Sequence, residues 1–332
     1  MFNCIGIDVS KASINVHIPK SNQDLKLDNT LKSFKALYNK LKKIYKKEIS
    51  EIVFIFEPTG SYSEGLRKYC FTHEIKCFII NPKQFSNYAK ALGIEIKNDI
   101  EDARVLSKAI TLAKKGQVRV PHYDEDVELI KELMSYYKLI VKQTSQQKNH
   151  LEALTSKEGS SYAIKALKKS ISEFKIKSES VIDEIQQIIN QDPQYKKSFE
   201  NINSITGVGQ KGAIALLHLF LKYPEANQRQ ITSLAGLNPI YRQSGTSIQS
   251  KYTISKTGSK LYRGILFMGV FSAIRFDENF KTFYDRLIAN GKHTTQAQIA
   301  VMRKIIITAH SLYRNDRKYD VNFGKPKAIG ME

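Results

Sequence analysis

Two continuous apolar runs constrain this chain most, because runs of that length and composition read as strands buried on both faces. Phe2–Val9 carries Asp8 near its end, and Ile52–Phe56 leads directly into Glu57. Between them Ala12–Pro19 alternates (Ile14, Val16, Ile18), which predicts a strand paired to the first through a tight turn near Ser10-Lys11. Asp24–Leu27 fits a short third strand. Ser33–Lys46 sets Phe34, Leu37, Leu41 and Tyr45 on one face of an amphipathic helix. Beyond Glu57, Pro58 and Gly60 stop the strand and turn the chain into a helix around Tyr62–Phe71. Ile75–Ile80 is a further strand, and a helix follows around Lys83–Leu92.

Next comes Lys97–Arg104, Lys-Asn-Asp-Ile-Glu-Asp-Ala-Arg. Asp99 and Asp102 stand three apart, ahead of apolar residues at helical spacing (Val105, Leu106, Ala109, Ile110, Leu112). On a first helical turn both carboxylates share a face, within reach of one cation. The plain alternative is capping and dipole complementation, since acids suit a helix N-terminus. The order of elements, three strands, helix, strand, helix, strand, helices, matches the ribonuclease-H-like fold. There the first strand, the fourth strand and a late helix converge on one cleft, which would gather Asp8, Glu57, Asp99 and Asp102. Packed carboxylates repel one another unless cations bind, and an oxygen-only donor set calls for Mg²⁺ or Mn²⁺. A pair of such ions suits phosphodiester exchange. Cys70, His73 and Cys77 lack a fourth partner and a CxxC pair, which argues against zinc.

Charge narrows the partner. Lysine and arginine number 52 against 32 acids, giving +20, and a chain this basic calls for a polyanion, most often nucleic acid. Its 332 residues, 42% hydrophobic, suffice for two domains with full cores. No apolar stretch approaches the ~20 residues of a membrane span. The N-terminus opens on a strand rather than a secretory signal, and an odd three cysteines fit a reduced, cytoplasmic setting.

The second half changes character. Ile130, Met134, Tyr137, Val141, Thr144, Lys148 and Leu151 recur in steps of four and three; so do Leu167, Ile171, Phe174, Ser178, Val181, Ile185 and Ile188. Two such helices around Gly159-Ser-Ser161 read as a coiled-coil hairpin or dimerising stalk, or as two ordinary bundle helices. Asp192-Pro193 ends the second. Residues 203–217, with Gly207-Val-Gly209-Gln-Lys211, show a helix-hairpin-helix pattern whose backbone N–H groups suit a phosphate; a glycine junction serving packing alone is the other reading. A polar segment rich in hydroxyls follows (Leu234–Ser250, containing Tyr241, Arg242 and Ser244), then Lys256-Thr-Gly-Ser-Lys260. Helices are expected over Leu261–Phe276 and Thr295–Tyr313, the latter carrying Arg303-Lys304, before a mobile tail from Asn315. The expected divisions are 1–122, 123–194, 195–314 and 315–332.

Over nearly its whole length the chain resembles the DEDD transposases of bacterial insertion sequences, relatives of the Piv DNA invertases with a RuvC-like N-terminal domain. The matching stretches are Gly6-Ile-Asp8-Val-Ser-Lys11, Glu57-Pro-Thr-Gly60, Lys97-Asn-Asp99-Ile-Glu-Asp102-Ala-Arg104, Gly207-Val-Gly209, and Ala235-Gly-Leu-Asn-Pro239 leading to Ser244-Gly245. The resemblance implies that Asp8, Glu57, Asp99 and Asp102 are a metal-binding tetrad for Mg²⁺, with Mn²⁺ able to substitute, and that Ser244 is the nucleophile of a mostly helical C-terminal domain. It further implies cut-and-rejoin chemistry on donor and target DNA and a non-coding guide RNA from the element; the dimerising-stalk reading of the long helices adds the expectation of a homo-oligomer, a dimer or tetramer. Asn98 stands where a threonine is common in that family. Lys11, Lys97, Arg104, Gly207, Gly209, Lys211, Arg242, Lys256, Lys260, Arg303 and Lys304 are the expected nucleic-acid contacts. The runner-up is a RuvC-like junction-resolving endonuclease that uses water. A sugar-kinase or actin-like ATPase would need further glycine-rich phosphate loops, and a non-catalytic binder would have no use for four ordered acids beside a phosphate-binding surface.

Overall fold

The apolar runs of the first eighty residues become one sheet with helices on both faces. The computed structural model describes residues 2–93, 98–240, 243–244, 248–249, 253–258 and 260–322, and forms two compact units, Met1–Tyr123 and Asp124–Glu332. In the first unit β1 (Asn3–Val9), β2 (Ser13–Ile18) and β3 (Gln23–Asp28) form an antiparallel meander. After α1 (Leu31–Tyr45), β4 (Ile52–Phe56) lies parallel to β1; after α2 (Glu64–Thr72), β5 (Lys76–Ile79) lies parallel to β4. The strand order β3-β2-β1-β4-β5 is the ribonuclease-H-like, RuvC-like arrangement expected. Then come α3 (Pro82–Ala91) and α4 (Asp99–Lys108).

Both faces of the central strands are covered, which is why they read as apolar runs. Ile5, Ile7, Val9, Phe54 and Phe56 pack with Phe34, Leu37 and Leu41 of α1 and Leu66 and Tyr69 of α2. On the other face Val53 and Ile55 meet Phe85 of α3 and Val105 and Leu106 of α4. One residue sets how closely α4 lies on β1. A Cβ built on Gly6 would stand 1.9 Å from the Ala103 carbonyl oxygen and 2.5 Å from the Ser107 nitrogen, both backbone atoms. Only glycine permits that approach.

The second unit is mostly helical: α5 (Glu125–Ser156), α6 (Ser161–Gln191), α7 (Pro193–Asn203), α8 (Gln210–Lys222) and α9 (Gln228–Leu234). Short ladders follow, β6 (Pro239–Ile240) with β9 (Thr253–Ile254) and β7 (Gln243–Ser244) with β8 (Ile248–Gln249), then α10 (Lys260–Phe276), α11 (Glu278–Ala289) and α12 (Thr294–Asn315). The sequence reading had no counterpart for α11, whose Phe280 and Phe283 join the helical core.

Helices α5 and α6 do form a hairpin, and its root and its outer part differ. At the root Ile130, Met134, Ile140, Val181, Ile185 and Ile189 are buried in the core of the unit, as bundle helices are. Farther out the facing residues are only half-buried. The expected seam slips by one in α5: Ile140 and Gln147 take the places assigned to Val141 and Lys148, which are exposed. A step of three where the heptad has four brings this about. The charged segment after α12 was expected to be mobile from Asn315. Its first residues are held: Asn201 donates to Asp316, the Tyr319 N–H donates to Ser204, and Asn279 donates to the Val321 carbonyl. Residues 323–332 of that tail lie outside the described residues.

Two measurements check this packing. Gly6→Ala should cost about 2–4 kcal/mol of stability, read as a fall in thermal midpoint, because the new methyl meets backbone that cannot yield. Ile185→Ala, at a fully buried position, should cost about 2–5 kcal/mol, while Val141→Ala should change the midpoint little.

Candidate active site

Asp8 stands one residue before the end of β1, on the face that α4 covers. The β1–β4 register pairs Gly6 with Ile55, so two residues farther on the chain brings Glu57 level with Asp8, just beyond the end of β4. Asp99 and Asp102 occupy the first turn of α4. Asp99 and Asp102 stand near enough to act on the Asp8 carboxyl, which is pushed up to about 6: burial contributes most, then the negative charges of Asp99 and Asp102, against a hydrogen bond from the Val9 N–H. Among the described residues no three His, Cys, Asp or Glu side chains stand close enough to make a closed metal cage. The all-carboxylate donor set and the mutual repulsion nonetheless fit a hard divalent cation, which would relieve that repulsion.

Local sequence explains how α4 is placed. Asn98 takes the N-cap, its side chain accepting from the Ile100 N–H at 3.1 Å. Capping is thus done by Asn98, and the two acids are not needed for it. A threonine there would cap as well, so the departure at Asn98 conserves this role. At the side of α4, Arg104 binds Asp24 of β3 at 2.5 Å, and His17 of β2 holds the same carboxylate at 2.8 Å. The Arg104 guanidinium, helped by His17, keeps Asp24 below the usual carboxylate range. Arg104 also reaches Glu101 at 3.3 Å, so its charge is already engaged within the unit. Lys11 is exposed in the β1–β2 turn, and Lys97 lies outside the described residues.

In the second unit the two glycines of the helix-hairpin-helix pattern divide the two readings between them. Gly207 has φ +87°, and a Cβ there would stand 2.6 Å from backbone atoms of Gly269 and Ala273 in α10, so it serves packing. Gly209, the N-cap of α8, has open space around it, and no side chain caps that helix. Beside it a groove of about 630 Å³ is lined by Lys138, Lys211 and Lys260, with Lys211 over the Tyr137 ring at 5.1 Å. Lys256 is exposed, with a left-handed backbone (φ +54°) tied to the Gly236 carbonyl. The Ala235–Pro239 stretch is folded by Arg263, which donates to the carbonyls of Ala235 at 3.1 Å and Gly258 at 2.9 Å. Ser244 pairs with Ile248 in the ladder beyond it. Tyr241, Arg242 and the residues from Gly245 to Ser247 lie outside the described residues. Lys304 sits over the Phe283 ring at 4.9 Å, where burial lowers its pKa, and the Nε of Arg303 is buried. Lys304 thus belongs to the packing of α11 and α12.

A ribonuclease-H-like sheet with acids gathered from β1 and the first turn of α4 defines a RuvC-like domain of the DEDD type. Residues 5–157 match a DEDD transposase family of IS110 elements, and residues 199–285 match the transposase family IS116/IS110/IS902. The chain is 28% identical over 328 residues to the pilin gene-inverting proteins of Moraxella bovis and Moraxella lacunata, spanning 95% of this chain and 97% of each relative. An insertion element IS110 protein of Streptomyces coelicolor is 30% identical over 122 residues, 36% of this chain and 29% of that protein. The chain belongs to the IS110/IS902/Piv-invertase family of bacterial transposases, and its general activity is that of a DNA transposase or recombinase. A DEDD-type domain carries with it dependence on a divalent metal. Among the described residues no helix is long and apolar enough to cross a membrane.

Sequence reasoning missed the His17–Asp24–Arg104 clamp. The signal was present as polar residues alternating along β2, but alternation suggests a solvent face, and here α4 covers it. The acid cluster yields a pH test. Because the folded value of Asp8 lies above its ordinary 3.8, stability present below about pH 4 is lost as pH rises through about 6. Without divalent cations Asp8→Asn should therefore exceed wild type at neutral pH by roughly 1–2 kcal/mol, discounted for partial exposure, and match it near pH 4 in thermal melts.

Proposed function

We propose that this transposase works as an RNA-guided DNA recombinase that cuts through a serine and rejoins strands without ATP. The observation that carries the metal half of this reading is the gathering of Asp8, Asp99 and Asp102, with their repulsion, on a chain of +20. Asp8, Glu57, Asp99 and Asp102 would hold Mg²⁺ or Mn²⁺. When bound, such an ion polarises the scissile phosphate and stabilises the departing oxygen. Support for the serine is that the second family match, residues 199–285, spans Ser244, and that Gly245 beside it lets DNA approach closely.

The chemistry balances without an external energy source. The Ser244 hydroxyl oxygen bonds to phosphorus as the bond from phosphorus to the departing strand breaks, and the hydroxyl proton ends on that strand's oxygen. A hydroxyl of the new partner strand then attacks phosphorus, and the serine leaves with its proton restored. The phosphoserine link keeps the energy of the broken phosphodiester, which attack by water would discard. Lys11, Lys97, Gly209, Lys211, Arg242, Lys256 and Lys260 serve as phosphate contacts. Arg303 is a further phosphate contact, whereas Gly207 acts by shaping the turn, and Arg104 and Lys304 by holding helices. The charge supports a guide RNA beside donor and target DNA, since several duplexes need many phosphates neutralised. A homo-oligomer fits exchange between two duplexes. The names of the two Moraxella relatives, gene-inverting proteins, support rearrangement between defined sites.

Ser244→Ala should still bind DNA and RNA yet form no covalent protein–DNA adduct in denaturing gels, whereas Tyr241→Phe should keep it. An adduct lost in Tyr241→Phe and retained in Ser244→Ala would make the phenol the nucleophile. No adduct in wild type would favour the hydrolytic, junction-resolving nuclease. Asp102→Asn should abolish strand exchange while leaving nucleic-acid binding intact, because the basic surfaces hold phosphate. Full turnover in excess chelator would sink the metal assignment.

A further inference from the structure

Asn15 lies in β2 with 2% of its surface exposed, and its Nδ2 has no hydrogen-bond partner among the described residues. A buried donor without an acceptor destabilises a fold, and native proteins keep few of them. Asn15 pairs directly with Asp8 across the β1–β2 ladder. Directly opposed residues point to the same face of a sheet, with Cβ atoms about 4.5–5.5 Å apart. That face is the one beneath α4: in the next pair Gly6 lies opposite His17, with Gly6 under Ala103 and His17 joined through Asp24 to Arg104. Asn15 therefore stands at the buried rear of the acid cluster, where nucleic acid cannot touch it but Asp8 can. A purely structural asparagine would spend its amide N–H on a neighbouring carbonyl, and this one does not.

We propose that Asn15 is a positioning residue of the cation site: its Nδ2–H, unpaired among the described residues, donates to one oxygen of the Asp8 carboxylate when the other oxygen turns toward a bound ion. Partners of this kind orient a ligand, and their loss weakens metal binding by about 10–100-fold. The inference rests on the metal reading above and adds to it a residue outside the acidic tetrad.

The test uses the full-length chain, with Mn²⁺ as probe, its uptake followed by the loss of the free-ion electron paramagnetic resonance signal. Asn15→Val removes the donor, and Asn15→Thr, nearly the same shape, retains one. Without divalent cations Asn15→Val should melt at or above the wild-type temperature, because an unpaired buried donor has gone. It should nevertheless take up Mn²⁺ about tenfold more weakly, and Asn15→Thr should recover most of that loss. Equal uptake by wild type and Asn15→Val, equal weakening in both variants, or a failure of Asn15→Val to fold would each overturn the role of Asn15. Asp102→Asn separates this from the parent reading. If wild type takes up no Mn²⁺, or Asp102→Asn takes it up as wild type does, the metal assignment falls and the role of Asn15 falls with it.

Discussion

The acid site depends on a contact that contains no acid. Gly6 lets the backbone of α4 settle on β1 at Ala103 and Ser107, closer than any side chain would allow. From that seat the first turn of α4 brings Asp99 and Asp102 into the electrostatic field of Asp8. Their repulsion pushes helix and strand apart, and three features oppose it. Val105 and Leu106 bury against Val53 and Ile55, Arg104 grips Asp24 of β3, and the positive end of the helix dipole favours acids in its first turn. Apolar burial and a clamp at the side of the helix thus hold carboxylates together that would otherwise separate.

The same division between scaffold and reactive surface runs through the second unit. Gly207 and Gly209 are two residues apart in one motif, yet the first is enclosed by α10 and the second opens beside the uncapped start of α8. The basic residues divide likewise. Lys211 and Lys260 line the groove near Gly209, whereas Lys304 is partly buried against Phe280 and Phe283 and donates to the Asn279 carbonyl. A net charge of +20 says how much positive charge the chain carries, while packing decides which of it can meet phosphate.

The root of the α5–α6 hairpin shows how far periodicity reaches. Both helices were legible from their repeating apolar residues, and the α6 seam runs through the positions the repeat marks. In α5 the seam passes to Ile140 instead of Val141, because contacts with the surrounding core, and not the repeat alone, set the rotation of the helix there. Local pattern specifies an element well and its exact facing less well.

What the sequence by itself determined is what depends on near neighbours. Buried runs gave β1 and β4, a 3.6 period gave α1 and the long hairpin, Asn98 gave the start of α4, and the order of these elements sufficed to name the sheet topology. Asp8, Asp99 and Asp102 each sit at an element end, and this topology brings the ends near enough for Asp99 and Asp102 to raise the Asp8 carboxyl. Only tertiary structure decided that the polar side of β2 is buried, that His17 and Asp24 clamp Arg104, that Gly6 is a helix seat, and that Asn15 faces Asp8 with its amide unpaired. Those facts rest on cross-strand register and on how near a helix lies to a sheet, which are set by contacts between residues up to about a hundred positions apart and leave no local period to read.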